Sequence, residues 1–394
     1  EEDDIMQWGI YIHIPFCQQK CFYCDFPSFA GRERYMEDYT AALCQEIRTQ
    51  GSCCRQKWGE PATVYIGGGT PTALPRELLG QIICTVTEVC LDKGSRPEFT
   101  VECNPGTVDA DDLLLLRRNG ISRLSFGVQS FDDVLLKAIG RIHTGEEAVY
   151  AFQLARNAGF DNISLDLMYG LPGQSLVQLQ ASVDQALSLE PEHLSIYGLQ
   201  LEEGTVFMQL QQQGRLHLPT DEATEQMYDY MTHTLPQHGY VRYEISNFAR
   251  SGFASRHNLS YWQDVPYLGL GAAAHAYLDG QRWLHSSDIA DYIEGIATGC
   301  PVMVQEEGRS TPIAMEEFCF LALRTAVGIS RAKFKSRFGC SLDSVYADVI
   351  ARMKKKRFLT ESDTGVRLTE LGMKYGNWVF EEFLLDADGI CYNE

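Results

Sequence analysis

Cys17, Cys21 and Cys24 stand in the run Tyr-Ile-His-Ile-Pro-Phe-Cys-Gln-Gln-Lys-Cys-Phe-Tyr-Cys-Asp-Phe, directly after a strand-like segment. Thiols at these spacings can hold one iron–sulfur cluster from a single short loop. A four-iron cubane takes four thiolates, one for each iron. A loop that supplies three leaves one iron open to a small molecule. Two other readings stand beside this one: zinc held by an incomplete tetrad, and disulfide pairing. The odd count of 13 cysteines, with no signal-peptide pattern, favours a reducing compartment over pairing.

Further residues are chemically unusual for where they fall. Gly67, Gly68 and Gly69, followed by Thr70, form a run in which backbone can approach a ligand closely and offer N–H and C=O groups. The same run also describes a tight strand-to-helix turn. Glu102 closes an apolar strand and reads either as a partner for an amino group or ribose hydroxyl, or as a solvated strand end. Asp166, in Ile-Ser-Leu-Asp-Leu-Met-Tyr-Gly, places a carboxylate in an apolar run, where a strand buried on both faces tolerates one only if it is paired or ligand-bound. His257 opens His-Asn-Leu-Ser-Tyr-Trp, and imidazole is a common haem ligand beside which Tyr261 and Trp262 can lie against a porphyrin. The plainer reading is a polar loop histidine with Tyr and Trp in the core. His275, among small residues in Gly-Leu-Gly-Ala-Ala-Ala-His-Ala, is a second haem candidate. His13 reads as packed, and the remaining cysteines as structural thiols.

Elements must bring these residues together. Six β-rich runs, at 8–14, 63–66, 98–102, 123–128, 162–168 and 193–199, alternate with helical patterns at 35–49, 75–90, 109–118, 146–157 and 176–189. That alternation predicts an α/β fold, a partial parallel (β/α)6 barrel with helices outside. Ligands in such barrels bind at the carboxyl ends of the strands, where the cysteine loop, the glycine run, Glu102, Gln129 and Asp166 all fall. After about residue 300 the alternation stops. Helices at 315–325, 331–338 and 343–356 and a hairpin at 358–360 and 366–368 predict a small winged-helix-like C-terminal domain, with a lid or acceptor-docking role. The expected division is 1–235, 236–304 and 305–394. A net charge of −20 argues against nucleic acid, despite the basic run Lys354 to Arg357, which suits a helix C-terminus. No apolar run is long enough to span a membrane.

Six segments together carry a family resemblance: Tyr-Ile-His-Ile-Pro-Phe-Cys, Gly-Gly-Gly-Thr-Pro-Thr, Glu-Cys-Asn-Pro-Gly, Ser-Phe-Gly-Val-Gln-Ser-Phe, Asp-Leu-Met-Tyr-Gly-Leu-Pro-Gly-Gln and His-Asn-Leu-Ser-Tyr-Trp. In this order they resemble the HemN-like radical S-adenosylmethionine (SAM) family, over about residues 8 to 385. The resemblance implies a [4Fe–4S] cluster on Cys17, Cys21 and Cys24, with SAM chelating the open iron. It implies a surrounding pocket of Tyr11, Tyr23, Gly68, Gly69, Thr70, Glu102, Gln129, Arg141 and Asp166. The chemistry implied is reductive cleavage of SAM, with an electron donor such as flavodoxin or ferredoxin, and no side chain is singled out as catalytic. Related oxygen-independent coproporphyrinogen III dehydrogenases carry another cysteine two residues after the third, and here that residue is Phe26. This departure, with the His257 segment, resembles the family's haem chaperones. It implies a cytoplasmic protein that binds haem, with His257 as a ligand, and passes it to acceptor proteins, membrane-associated ones among them. Whether SAM is cleaved stays open, and the dehydrogenase activity is the alternative.

Overall fold

Alternation along each strand sets the architecture. Ile10, Ile12 and Ile14 are fully buried against outer helices, while Tyr11 and His13 between them point to the opposite face. The same pattern recurs at Val64 and Ile66, at Phe99 and Val101, at Leu124, Phe126 and Val128, and at Ile163, Leu165 and Leu167. In the computed structural model, which describes residues 7–306 and 310–385, these become β1 (Gly9–Ile14), β2 (Thr63–Gly68), β3 (Glu98–Cys103), β4 (Arg123–Gln129) and β5 (Ile163–Tyr169). With β6 (His193–Gly198) they pair in parallel, each with the next. The predicted (β/α)6 unit is present.

The sheet continues beyond it at both edges. Past β6 lie the antiparallel strands β7 (Val241–Arg242) and β8 (Asn247–Ala249). Beside β1, a seventh parallel strand, β9 (Tyr267–Leu270), pairs Gly9 with Tyr267 and Tyr11 with Gly269. Then follow the antiparallel β10 (His275–Leu278), β11 (Gln281–His285) and β12 (Met303–Gln305). The twelve strands run β12-β11-β10-β9-β1-β2-β3-β4-β5-β6-β8-β7. A buried network ties the β9–β11 extension to the first helix, Met36–Glu46. Glu46 accepts from His285 Nε2 at 2.6 Å, from the Tyr292 hydroxyl at 2.7 Å and from the Gly271 N–H at 2.9 Å.

Helix starts follow the polar residues that cap them. Asp109, Thr144 and Ser175 each form reciprocal capping boxes with Asp112, Glu147 and Gln178. The helix expected at 35–49 runs on, through a π-helical turn at Ile47–Gly51, to a helix at Ser52–Trp58.

A second hydrophobic core, around Phe318, Phe334, Tyr346 and Val349, belongs to the C-terminal module. Helices Thr311–Leu323, Arg331–Phe338 and Leu342–Lys355 pack with β13 (Ile329–Ser330), β14 (Leu359–Glu361) and β15 (Gly365–Leu368), in the order β13-β15-β14. The module docks through Arg324, 4.4 Å over the Trp262 ring, through Ala326 N–H to Tyr243 O at 2.9 Å, and through Lys374 to Glu225 and Asp229. Tyr243 and Trp262 lie toward the amino ends of the barrel strands, so these contacts do not set the module as a lid over the cysteine rim. Among the described residues no helix is long and apolar enough to cross a membrane.

Candidate iron–sulfur and SAM site at the barrel rim

Cys17, Cys21 and Cys24 are free thiols, partly buried in the loop after β1. Backbone bonds shape that loop: Cys17 N–H donates to Phe29 O at 3.1 Å, and Cys24 N–H to Cys21 O at 3.2 Å. His13 pins it from below. Its Nε2 donates to Pro27 O at 2.9 Å, which leaves Nδ1 to accept from the Tyr11 hydroxyl at 3.0 Å. Among the described residues no three His, Cys, Asp or Glu side chains are grouped closely enough for a single metal ion.

Donors converge on two of the sulfurs. Arg141 Nη1 donates to Cys21 Sγ at 3.5 Å, and Arg141 Nη2 to Asn104 Oδ1 at 2.5 Å. Asn104 Nδ2 in turn donates to Thr70 Oγ1 at 2.7 Å, and that hydroxyl lies 3.6 Å from Cys17 Sγ. A guanidinium and a hydroxyl thus stand against two of the three sulfurs. Tyr23, packed with Phe22, Met168, Leu171 and Phe207, lies beside Cys21 and Cys24. Burial chiefly, then the neighbouring sulfurs, push its hydroxyl well above the ordinary value.

The glycine run is required by close approach. A Cβ on Gly69 would stand 2.7 Å from Phe16 O and 3.1 Å from Cys17 Sγ. One on Gly68, whose φ is +109°, would meet the His13 ring at 2.5 Å. Gly68 N–H donates to Glu102 at 3.2 Å, and the Tyr65 hydroxyl donates to the same carboxylate at 2.6 Å. Burial raises the Glu102 pKa to about 7 against these two bonds. Asp166 accepts from Ser125 at 3.3 Å and from Ser164 at 3.4 Å, and burial chiefly raises its pKa as well.

Gln129 ends β4 at a bulge, with φ +67°. That conformation is costly for a residue with a Cβ and gathers at functional sites. Its Oε1 and Arg141 Nε are both buried without a protein partner. A Cβ at Gly127 would crowd Asn104, Gln129 and Arg141 together, at 3.0 to 3.4 Å. A narrow cleft opens beside Cys21, Thr70, Asn104 and Arg141. Unspent donors and acceptors, close backbone and donor-supported sulfurs at one mouth fit a cluster with a zwitterionic ligand.

His257 lies elsewhere. It is 1 % exposed, with Nδ1 bonded to Thr63 Oγ1 at 2.8 Å and Nε2 to Tyr261 OH at 2.8 Å. Its ring stacks on Tyr65, centroids 5.0 Å apart. Glu98 accepts the N–H groups of Arg256 and His257, both at 2.9 Å, which fixes the helix Arg256–Trp262 across the amino ends of β2 and β3. Burial first, then the Arg123 charge, lowers its pKa to about 3. Expected as a haem ligand, His257 has both ring nitrogens engaged, by Thr63 and Tyr261. The rim residues Tyr11, Tyr23, Gly68, Gly69, Thr70, Glu102, Gln129, Arg141 and Asp166 gather at the carboxyl ends or within the barrel interior. Asn104, Tyr65 and Ser125 join them, and nothing in their residue types alone marked them out.

A parallel β/α unit with a three-cysteine loop and a glycine run at its rim defines a radical SAM protein. A family model described as Radical SAM superfamily matches residues 11–186, and one described as HemN C-terminal domain matches residues 312–375. The fold superposes on coproporphyrinogen III oxidase (HemN) from Escherichia coli with a TM-score of 0.82, over 96% of this chain and 91% of that one, at 20% identity. The chain is 42% identical to the haem chaperone HemW of Bacillus subtilis, over 95% of this chain and 98% of that protein. It is 34% identical to HemW of Escherichia coli, over 96% and 98%. The chain belongs to the HemW family, and its radical SAM membership implies a [4Fe–4S] cluster and SAM.

Proposed function

We propose that this protein is a cytoplasmic haem chaperone, which binds haem and passes it to acceptor proteins. The observation that carries the reading is near-complete coverage of relatives named haem chaperones, at up to 42% identity. Phe26, 58 % exposed beside Cys24, supports it against the dehydrogenase alternative, whose members carry a cysteine there. Cys17, Cys21 and Cys24 hold the cluster. When bound, the reduced cluster supplies an electron to SAM, delivered by a donor such as flavodoxin or ferredoxin.

The chain's own residues then have separable tasks. Arg141 and Thr70 contact two of the sulfurs, and Arg141 offers Nε to the SAM carboxylate. Glu102 accepts from an amino group or ribose hydroxyl, while Asp166 and the Gln129 carboxamide are set towards ribose hydroxyls. Gly68 and Gly69 bring backbone against the ligand, Tyr11 holds His13 under the loop, and Tyr23 supplies an apolar wall. The rim domain is assigned to 1–235, the haem-associated segment to 236–304 and the docking module to 305–394. Within the middle segment His257 anchors the helix at the barrel base, and haem lies toward residue 275. The module's role is to dock haem acceptors, including membrane-associated ones. Nucleic acid is not assigned as its partner, because the chain carries a net charge of −20 and the exposed Lys354 and Lys355 suit the C-terminal end of their own helix.

The test is haemin titration of the purified chain, then mixing with an apo-haemoprotein. A Soret band that forms and then moves to the acceptor is expected. Conversion of coproporphyrinogen III to protoporphyrinogen IX, with SAM consumed at each turnover, would refute the chaperone reading.

A further inference from the structure

The interior face of the barrel carries a file of polar side chains that runs from its amino end up to Asp166. Side chains alternate along a strand, and directly paired residues share a face. Ser164, Asp166 and His193 therefore all point inward, with Ser164 opposite His193 in the register of β5 and β6. His193 is fully buried, and both of its ring nitrogens are engaged. Nδ1 lies 2.7 Å from Ser164 Oγ, and Nε2 lies 2.7 Å from the Tyr243 hydroxyl. Ser164 Oγ in turn lies 3.4 Å from Asp166 Oδ1. At the far end of the file the Ser255 N–H donates to the Tyr243 hydroxyl at 3.3 Å.

The direction of these bonds follows from what each group has to give. Burial first, then the Arg123 charge, holds the His193 pKa well below the ordinary value. The ring is neutral, with one donor nitrogen and one acceptor. The Tyr243 hydroxyl already accepts from Ser255, and His193 Nε2 is the acceptor within its reach among the described residues. A hydroxyl in such a place gives its proton to that partner instead of leaving it unpaired. Nε2 then accepts, the ring proton sits on Nδ1, and Nδ1–H donates to the Ser164 oxygen. Asp166 Oδ1 is left as the acceptor for the Ser164 proton. In the opposite tautomer, Nδ1 at 2.7 Å would draw that proton away from the longer contact to Asp166. Ser125 gives Asp166 a second hydroxyl at 3.3 Å, so the loss of one donor is a partial loss.

We propose that His193 is a positioning residue for SAM: Tyr243 fixes it in the Nδ1–H form, and that form turns the Ser164 hydroxyl onto Asp166, steadying the carboxylate set towards the ribose. The inference rests on the placing of Asp166 in the SAM pocket. It adds His193 and Tyr243, which lie below the rim and act through Ser164.

The full chain is labelled with nitrogen-15 histidine, and the His193 tautomer is read from its ring nitrogen shifts, identified by their absence from His193→Asn. The Nδ1–H form is expected in the unaltered protein, with a shift away from it in Tyr243→Phe, which removes the donor to Nε2. SAM affinity of the cluster-loaded protein, measured by anaerobic equilibrium dialysis, should fall about threefold to tenfold in Tyr243→Phe. In an Asp166→Ala background the Ser164 hydroxyl has lost that acceptor, and Tyr243→Phe should change affinity by less than about twofold. Cluster absorbance in each variant checks that the fold is intact, and the tautomer of the unaltered chain decides the matter even if Tyr243→Phe folds poorly. The Nε2–H form in the unaltered chain, undiminished affinity in Tyr243→Phe, or an equal loss with and without Asp166 would each overturn the inference. Asp166→Ala that binds SAM as the unaltered chain does would instead overturn the placing of Asp166 on which it rests.

Discussion

Glu102 offers the sharpest test of the rim site, because its ionisation is set by position and falls in an accessible range. Its carboxylate takes hydrogen bonds from Tyr65 and Gly68, yet burial outweighs them and raises the pKa to about 7 from an ordinary 4.5. An ionised Glu102 accepts a hydrogen bond from a SAM amino group or ribose hydroxyl better than a neutral one. Roughly a tenth of the population is ionised at pH 6 and roughly nine-tenths at pH 8, so the Glu102 contribution to affinity changes by about tenfold, or about 1.4 kcal/mol. Glu102→Gln keeps size and one acceptor but does not titrate. SAM affinity of the cluster-loaded protein is measured by anaerobic equilibrium dialysis at pH 6, 7 and 8, for both forms. The ratio of wild-type to variant affinity should rise with pH, which isolates Glu102 from SAM's own titration. Stability should move the other way. The unfolded chain ionises this group near 4.5 and the folded chain near 7, so the folded state binds the extra proton between them. Stability therefore falls as pH rises through that window, by up to about 3 kcal/mol, and the variant should lack this fall. A flat affinity ratio across pH 6 to 8 would refute the account of Glu102 as a titrating ligand group.

Single replacement of Cys17, Cys21 or Cys24 by Ala should abolish cluster absorbance after reconstitution, whereas Cys53→Ala, exposed on the helix Ser52–Trp58, should not change it. Gly68→Ala drives a Cβ into the His13 ring at positive φ and should lower stability by about 1 to 3 kcal/mol, with SAM binding lost, as thermal melts and dialysis would register. Gln129→Gly should do the reverse for stability, raising it by about 1 kcal/mol through relief of the left-handed backbone, while SAM affinity falls. At His285 burial acts to lower the pKa, but the Glu46 hydrogen bond and charge more than offset it, and the net shift is upward. The stabilisation is then complete below about pH 6.5 and lost as pH rises through the raised value. His285→Ala leaves Glu46 buried without that partner and should cost about 3 kcal/mol or more in denaturant unfolding at pH 6.

The parts of this architecture that repeat locally were legible in the sequence. Six strands and their helices could be read because each carries its own apolar period and its own cap, as at Thr144 and Ser175. The cysteine spacing and the glycine run also carry meaning in place. What escaped depends on distant pairing. Tyr267–Leu270 is four residues long, and only its place against Gly9–Ile12 makes it a strand of the barrel. The 17-residue helix Asp221–Gln237 has few buried residues, with Pro236 near its end, and so gives a weak period. At the site, Asn104 matters only because Arg141 and Thr70 come to either side of it. For His257 the sequence offered an imidazole beside aromatics and the structure supplied its neighbours. Thr63 and Glu98, far earlier in the chain, bond its ring and its backbone.

The position of β1 also sets an order of events in biosynthesis. The strand that carries the cysteine loop has β2 on one side and β9 on the other, and β9 is not made until some 250 residues later. A nascent chain emerging from the ribosome can assemble β1 to β6 while β1 still has an unpaired edge, the kind of edge that invites wrong association. Closure waits on contacts between distant parts of the chain, which form slowly. In that interval the thiols are served by a half-finished sheet, and His13, whose backbone carbonyl bonds Tyr39, lacks its neighbours from the extension. Truncations that end before residue 267 should therefore collect as aggregates with unloaded cysteines.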